Sequence, residues 1–167
     1  MNRTEPHPEV ERAREAALRM LDRSRRTRRE LERKLIASDH SHEAVAAALD
    51  RLEHVGLIDD VEYVRAFVRS RLARRPLSMR VLTGQLRARG VGAEAIERAL
   101  SGPDAPAAAD AAGERVRAER ALAPLLRRYR NLDPREARAK MAAALARRGF
   151  DYDTVSEILD ATGSRDR

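Results

Sequence analysis

The sequence has no cysteine and no tryptophan, and aromatic residues make up only 3% of its 167 positions. Disulfides and thiolate metal sites are therefore excluded, and the core has to be built from Leu, Val, Ile and Ala. No apolar run approaches the roughly 20 residues that span a bilayer, and the N-terminus lacks the hydrophobic segment of a secretion signal. These absences predict a soluble, cytoplasmic protein without a membrane partner.

Motifs that carry chemistry are also missing. There is no P-loop, no nucleophile elbow and no glycine-rich dinucleotide fingerprint. His40 and His42 stand two residues apart, without the i,i+4 spacing or the third ligand of a helical zinc site, so a polar turn is the better interpretation. The sequence therefore predicts a protein that is not an enzyme and that has no cofactor and no metal.

What the sequence has in excess is arginine. The formal net charge is +7, and among 34 basic residues only Lys34 and Lys140 are lysines. A basic protein of this kind is expected to bind polyanions or acidic protein surfaces.

The apolar residues recur with helical spacing, and one pattern of four anchors occurs three times. The anchors are Leu31, Leu35, Val45 and Leu49, then Leu82, Leu86, Ile96 and Leu100, and finally Met141, Leu145, Val155 and Leu159. Gly90 and Gly149 follow the second anchor of their segments by four residues, where a left-handed glycine ends a helix. Asp39 occupies this position in the first segment, so the first turn is expected to differ.

Each segment thus predicts two helices joined by a turn, and a further helix precedes each pair, at about 9–23, 60–75 and 107–130. The predicted fold class is all-α, an elongated array of three tandem three-helix repeats, since each unit alone has a thin core. The predicted boundaries are a flexible N-terminus at 1–8, repeats at 9–56, 57–101 and 107–161, a linker at 102–106 and a flexible C-terminus at 162–167.

Several helix starts carry capping signals. Thr27 forms a capping box with Glu30, Ser78 occupies the equivalent place before Leu82, and Asp133 precedes a proline at the first helical position. These residues are predicted to be structural caps.

The adjacent aspartates Asp59 and Asp60 allow two interpretations. With His54 they could hold a metal ion, which would make the chain an enzyme. With Asp59 as N-cap, Glu62 instead falls at the third helical position and completes a capping box, and Asp60 adds negative charge to the first turn. Structural caps are the preferred interpretation.

Arginine is concentrated in patches, one in each repeat. Eight arginines and no acidic residue lie between Arg65 and Gly90, which favours a binding face over an ordinary solvated surface. The predicted contact residues are Arg65, Arg69, Arg71, Arg74, Arg75, Arg80, Arg87 and Arg89, followed by Arg23, Arg25, Arg26, Arg28 and Arg29. A third group is Arg127, Arg128, Arg130, Arg147 and Arg148. Such a ribbon could follow an acidic groove or a nucleic-acid backbone.

One stretch resembles a known family. The sequence from Gly56 to Asp60, followed by Tyr63-Val64 and Phe67-Val68, is similar to the signature of the RecX family, regulators of the RecA recombinase. The segments 21–35 and 82–91 also resemble the first and second repeats of that family. The resemblance covers residues 12–100 clearly and 115–160 more weakly.

The chain departs from the family pattern at several turns. Thr27 stands where serine is more usual, Asp39 where glycine is common, and Arg75-Pro76 replaces a glycine-containing turn. The stretch from Arg128 to Asp133 looks like an insertion. None of these positions carries chemistry, because the family has no catalytic site.

The resemblance implies a modular all-α protein that lies in the groove of the RecA–DNA filament. There it would inhibit RecA by limiting filament extension, ATPase, strand exchange and coprotease activity. The implied partners are the RecA filament and, weakly and without sequence specificity, DNA, and the chain is expected to be a monomer. The alternative is a free-standing DNA-binding or transcriptional module, since paired short helices can resemble helix-turn-helix units.

Overall fold

The computed structural model describes residues 7–102, 104–106 and 110–163, and all regular secondary structure within these ranges is helical. The described helices are α1 (Pro8–Arg23), α2 (Arg28–Ile36), α3 (His42–His54), α4 (Asp60–Arg74), α5 (Met79–Ala88), α6 (Ala93–Ser101), α7 (Ala111–Tyr129), α8 (Pro134–Ala146) and α9 (Tyr152–Gly163). The predicted all-α class is confirmed. None of these helices is long and apolar enough to cross a membrane.

Three predicted boundaries are corrected by helix ends. Pro8 falls in the predicted N-terminal tail, but it is the first residue of α1, where its fixed φ suits a helix start. Thr162 falls in the predicted C-terminal tail, but it lies in α9 and its hydroxyl donates a hydrogen bond to Ile158 O at 2.7 Å. Helix α7 begins at Ala111, because Asp110 Oδ1 accepts a hydrogen bond from Gly113 N at 2.8 Å. The predicted helical positions 107–109, and the predicted tail residues 1–6 and 164–167, lie outside the described residues.

The chain divides into two compact units. The first consists of residues Met1–Val64 and Leu86–Ala99, and the second of Arg65–Gln85 and Leu100–Arg167. The second predicted repeat is therefore shared, since most of α6 belongs to the first unit and most of α4 and α5 to the second.

Each unit has a mainly aliphatic core that contains most of the predicted anchors. In the first unit, Leu31, Leu35, Val45 and Leu49 pack with Leu52 and Ile58. In the second unit, Leu145, Val155 and Leu159 pack with Phe150 and Ile158, and Met141 is only partly buried. The repeated spacing thus identifies the core-facing side of the first and third helix pairs.

Four helices end in the same kind of turn. The residues with positive φ are Asp39 (62°), Gly56 (73°), Gly90 (81°) and Gly149 (93°). After each of them, the next residue donates its N–H to the carbonyl five residues earlier, as in the bonds from His40 N to Leu35 O and from Val91 N to Leu86 O. This is the Schellman pattern. The expectation that the first turn differs is wrong, because the short polar side chain of aspartate tolerates the left-handed conformation.

The first unit contains a joint between consecutive repeats, at the start of α2. The buried Thr27 hydroxyl accepts a hydrogen bond from Glu30 N at 3.0 Å and donates one to Arg89 O at 2.9 Å. Beside it the turn at Gly90 comes so close that a Cβ there would lie under 3.0 Å from the Arg29 side chain.

The second unit contains an equivalent joint, at the start of α5. The buried Ser78 accepts a hydrogen bond from Val81 N at 3.2 Å, and its own N–H donates to Arg148 O at 3.1 Å. A Cβ on Gly149 would lie under 3.0 Å from Ser78 Oγ and Val81 Cγ2. In both joints the turn of one repeat thus packs against the helix cap of the repeat before it.

A carboxylate from the following repeat completes each joint. Asp60 Oδ1, in the first turn of α4, accepts a hydrogen bond from Arg28 N at 3.0 Å. Glu114 Oε2, in the first turn of α7, accepts one from Met79 N at 3.1 Å. Arg117 is buried beside Glu114, pairs with it, and donates from Nε to Leu77 O at 3.1 Å. The first N–H of α2 and the first N–H of α5 are therefore capped by residues far away in sequence.

Gly84 offers a test of helix α5. It lies in the middle of this helix, and a Cβ built there would meet nothing within 4 Å. Because glycine in a helix interior costs roughly 0.5–1 kcal/mol relative to alanine, Gly84→Ala should raise the free energy of unfolding by that amount. Urea denaturation measures it. Gly92→Ala is the matched control, since it has the same open space but lies before α6 and should give no gain.

Candidate partner-binding arginines

The adjacent aspartates serve two different helices. Asp59 Oδ1 accepts a hydrogen bond from Glu62 N at 2.9 Å, at the start of α4. Asp60 points instead to the start of α2 through its bond with Arg28 N. His54 is exposed at the end of α3. Among the described residues, no cluster of three or more His, Cys, Asp and Glu side chains could hold a metal ion.

Burial raises the pKa of the Asp60 carboxyl above its ordinary value of 3.8, and the nearby charges of Glu53 and Asp59 raise it further. The hydrogen bond from Arg28 N lowers this pKa but does not outweigh the burial. The carboxylate therefore caps α2 at an electrostatic cost.

Asp60→Asn should change how stability depends on pH. The raised pKa means that the folded state holds this proton more tightly than the unfolded chain does, so wild-type stability falls as the pH rises from 3.8 through the folded-state pKa. Asparagine keeps an acceptor for Arg28 N and does not titrate, so the variant should lack this fall and be at least as stable at pH 7. Urea denaturation between pH 4 and pH 7 tests it. Asp60→Ala, which loses the acceptor, should be less stable than Asn at every pH.

Asp59→Ala should lower the free energy of unfolding by about 1 kcal/mol, because the bond to Glu62 N is lost at an exposed helix start. Thermal unfolding measures the loss, and Asp59→Ser, which keeps a capping oxygen, should restore most of it. A melting temperature that Asp59→Ala leaves unchanged would contradict the capping role.

The other predicted caps lie at helix starts as well. Thr27 and Ser78 are the buried residues of the two joints. Asp133 is exposed, and its Oδ1 accepts hydrogen bonds from Arg135 N at 2.9 Å and Glu136 N at 3.4 Å.

Most arginines around Thr27 have partners within the chain. Arg28 pairs with Asp50 at 2.5 Å and Glu53 at 2.7 Å, which ties the start of α2 to α3. The same group also includes pairs of Arg29 with Glu32 at 2.6 Å and of Arg25 with Glu62 at 3.8 Å. Arg26 is half-buried, and its Nε has no hydrogen-bond partner in the described part of the chain.

Several arginines of the acid-free run also have structural contacts. Arg65 pairs with Asp104 at 3.8 Å, and Arg80 Nε donates to Gly149 O at 3.1 Å in the second joint. Arg89 pairs with Glu30 at 3.4 Å and donates to Tyr63 Oη at 3.1 Å. Arg71 lies over the Phe67 ring, 5.0 Å from its centroid. Absence of acidic neighbours in sequence therefore does not mean absence of partners in space.

Four predicted contact residues are exposed and have no side-chain partner among the described residues. Arg23, Arg74, Arg75 and Arg87 are exposed, and their side chains make no ion pair or hydrogen bond with other described residues. Arg69 is also exposed. Arg74 and Arg75 are adjacent at the end of α4, so the second unit presents two uncompensated positive charges side by side.

The structural role of the pair formed by Glu114 and Arg117 is not predicted from the sequence. Glu114 stands in the first turn of α7, and Arg117 follows at the i+3 spacing of an ordinary surface ion pair. Only its burial against Leu77 O marks Arg117 as part of a joint. No local signal separates it from the other arginines of α7.

The helices and joints define a protein built from three-helix repeats. Three family models match consecutive parts of the chain: RecX, first three-helix domain, at residues 13–52, the second at 59–100 and the third at 114–159. The predicted three-repeat organisation is confirmed, and the chain belongs to the RecX family.

Relatives and solved structures agree with this assignment. "Regulatory protein RecX" of Mycolicibacterium vanbaalenii is 39% identical over 163 residues, covering 94% of this chain and 85% of the relative. The protein of the same name from Mycobacterium ulcerans is 37% identical over 167 residues, covering 98% of this chain and 92% of the relative. The crystal structure of RecX from Lactobacillus salivarius superposes with a TM-score of 0.80 at 24% identity, covering 92% of this chain and 96% of that one, and shows the same fold. A second crystal structure of regulatory protein RecX superposes with a TM-score of 0.77 at 26% identity, covering 91% of this chain and 73% of that one.

Proposed function

We propose that this chain regulates the RecA recombinase in the cytoplasm by binding the RecA–DNA filament as a monomer. Membership in a family of regulatory proteins carries the proposal, together with the resemblance of the stretch from Gly56 to Asp60. The three repeats matched at residues 13–52, 59–100 and 114–159 are proposed as the binding modules.

The exposed arginines are the proposed contact residues. Arg74 and Arg75 in one unit, and Arg23 and Arg87 in the other, have charges that no neighbour in the described residues neutralises. An acidic groove or a DNA backbone would compensate them, and binding across neighbouring protomers would limit filament extension. Direct binding to DNA is proposed to be weak and independent of sequence, because it would rest on phosphate contacts alone.

The test is the single-strand-dependent ATPase of the cognate RecA, measured with stoichiometric and substoichiometric amounts of the protein. We expect inhibition that is already present below one molecule per RecA protomer, and faster net filament disassembly. Unchanged ATPase together with unchanged disassembly would contradict the proposal.

A further inference from the structure

The third repeat leaves open a face that the first two repeats bury. Equivalent positions on this face are Thr27, Leu31 and Leu52 in the first repeat, Ser78 and Leu82 in the second, and Ala137, Met141 and Thr162 in the third. The first five are fully buried, and Thr27 and Ser78 contact the turn of the following repeat. The last three are partly exposed. Among the described residues, no helix covers them as α4 and α7 cover the joints of the first two repeats.

The open face forms a groove between α7, α8 and α9. Two adjoining depressions, of about 590 and 300 Å³, share Leu126, Pro134, Ala137, Met141 and Thr162 as lining residues. The base of the groove is therefore apolar and accessible to another molecule.

The edge of this groove is positively charged. Its lining includes Arg127, Arg130 and Arg138 and no acidic residue. Arg138 pairs with Asp160 at 2.8 Å, as the equivalent Arg28 pairs with Asp50. Arg127 and Arg130 are exposed, and their side chains make no ion pair or hydrogen bond within the described ranges. An occupant with carboxylates beside its apolar face would complement this edge.

A second copy of the chain fits the groove poorly. In both internal joints the turn that packs on the preceding repeat has a glycine, because a Cβ would collide there. The first repeat has Asp39 in that turn. The first-turn acids of α1 are also occupied, since Glu9 accepts from Ser41 N at 2.9 Å and Glu11 pairs with Arg14 at 2.8 Å. Head-to-tail stacking is therefore disfavoured.

We propose that the groove between α7, α8 and α9 binds an amphipathic helix of a partner protein, with acidic residues beside its apolar face. The internal joints provide the precedent, because each is covered by a helix with a first-turn carboxylate, Asp60 or Glu114. Helix-in-groove binding of this type uses apolar anchors at i, i+3, i+4 and i+7. The proposal is independent of RecA regulation.

Fluorescence anisotropy of a labelled synthetic helix tests the proposal with the full chain. The probe has leucine at i, i+3, i+4 and i+7 and glutamate at the flanking positions, and the control probe has lysine in place of glutamate. We expect the acidic probe to bind at least tenfold more tightly. Ala137→Glu should weaken it at least tenfold, because the new side chain fills the groove with like charge.

Ala139→Glu is the matched control variant, since Ala139 is exposed on the same helix and does not line the groove. It should bind the acidic probe as wild type does, and circular dichroism should show that both variants are folded. Equal binding by both variants, equal affinity for both probes, or no binding below 1 mM would overturn the proposal. So would sedimentation velocity showing a self-associated chain that Ala137→Glu dissociates, because a second copy would then be the occupant.

Discussion

Gly149→Ala is expected to lower the free energy of unfolding by about 2–5 kcal/mol. Left-handed backbone costs a non-glycine residue roughly 1–2 kcal/mol, and Gly149 has a φ of 93°. The new Cβ would also collide with Ser78 Oγ and Val81 Cγ2, and overpacking costs roughly 1–3 kcal/mol more. Because Ser78 is buried in the second joint, its Oγ cannot move away without disturbing the start of α5. Chemical denaturation measures the loss directly.

Gly56→Ala is the matched control for this variant. Gly56 has a similar φ of 73° and ends α3 in the same kind of turn, but a Cβ there would meet nothing within 4 Å. It should lose only the conformational part, about 1–2 kcal/mol. If Gly56→Ala and Gly149→Ala lowered the free energy of unfolding equally, the close approach of the Gly149 turn to Ser78 would not contribute to the cost of the substitution.

The double variant Arg74→Glu/Arg75→Glu is expected to need at least tenfold more protein for half-maximal inhibition of the RecA ATPase. The two charges are adjacent and exposed, so reversing them replaces attraction to an acidic partner by repulsion. A tenfold change corresponds to about 1.4 kcal/mol of binding free energy, which is modest for two reversed charges. Stability should stay near wild type, because neither side chain has a partner among the described residues.

Arg12→Glu/Arg19→Glu provides the control with the same change in net charge. Both arginines are exposed on α1 and lie outside the predicted contact groups. This variant should inhibit RecA nearly as well as wild type. If the two double variants lost inhibition equally, the effect would come from overall charge, and Arg74 and Arg75 would not be specific contacts.

Much of the fold could be predicted from local patterns. The spacing of Leu31, Leu35, Val45 and Leu49 identified core positions, because helical periodicity records which side is buried. Gly90 and Gly149 marked helix ends for the same local reason. The expectation drawn from Asp39, that the first turn differs, is wrong, because the backbone adopts the same turn without glycine at a modest conformational cost.

The joints could not be predicted, because their partners are distant in sequence. The Thr27 hydroxyl bonds to Arg89 O across 62 residues, and Arg80 reaches Gly149 O across 69. The sequence predicts that Asp60 serves its own helix, but its carboxylate caps α2. For the same reason the arginine runs could not be divided in advance into those that hold the fold together and those that remain open to a partner.

The central claim is tested most directly by co-sedimentation of the labelled chain with cognate RecA filaments assembled on single-stranded DNA. Co-sedimentation with the same DNA without RecA is the reference measurement. We predict saturable binding to the filaments, much weaker binding to bare DNA, and a loss of filament binding in Arg74→Glu/Arg75→Glu. Binding to bare DNA that equals or exceeds binding to the filaments would contradict the account and favour a free-standing DNA-binding module.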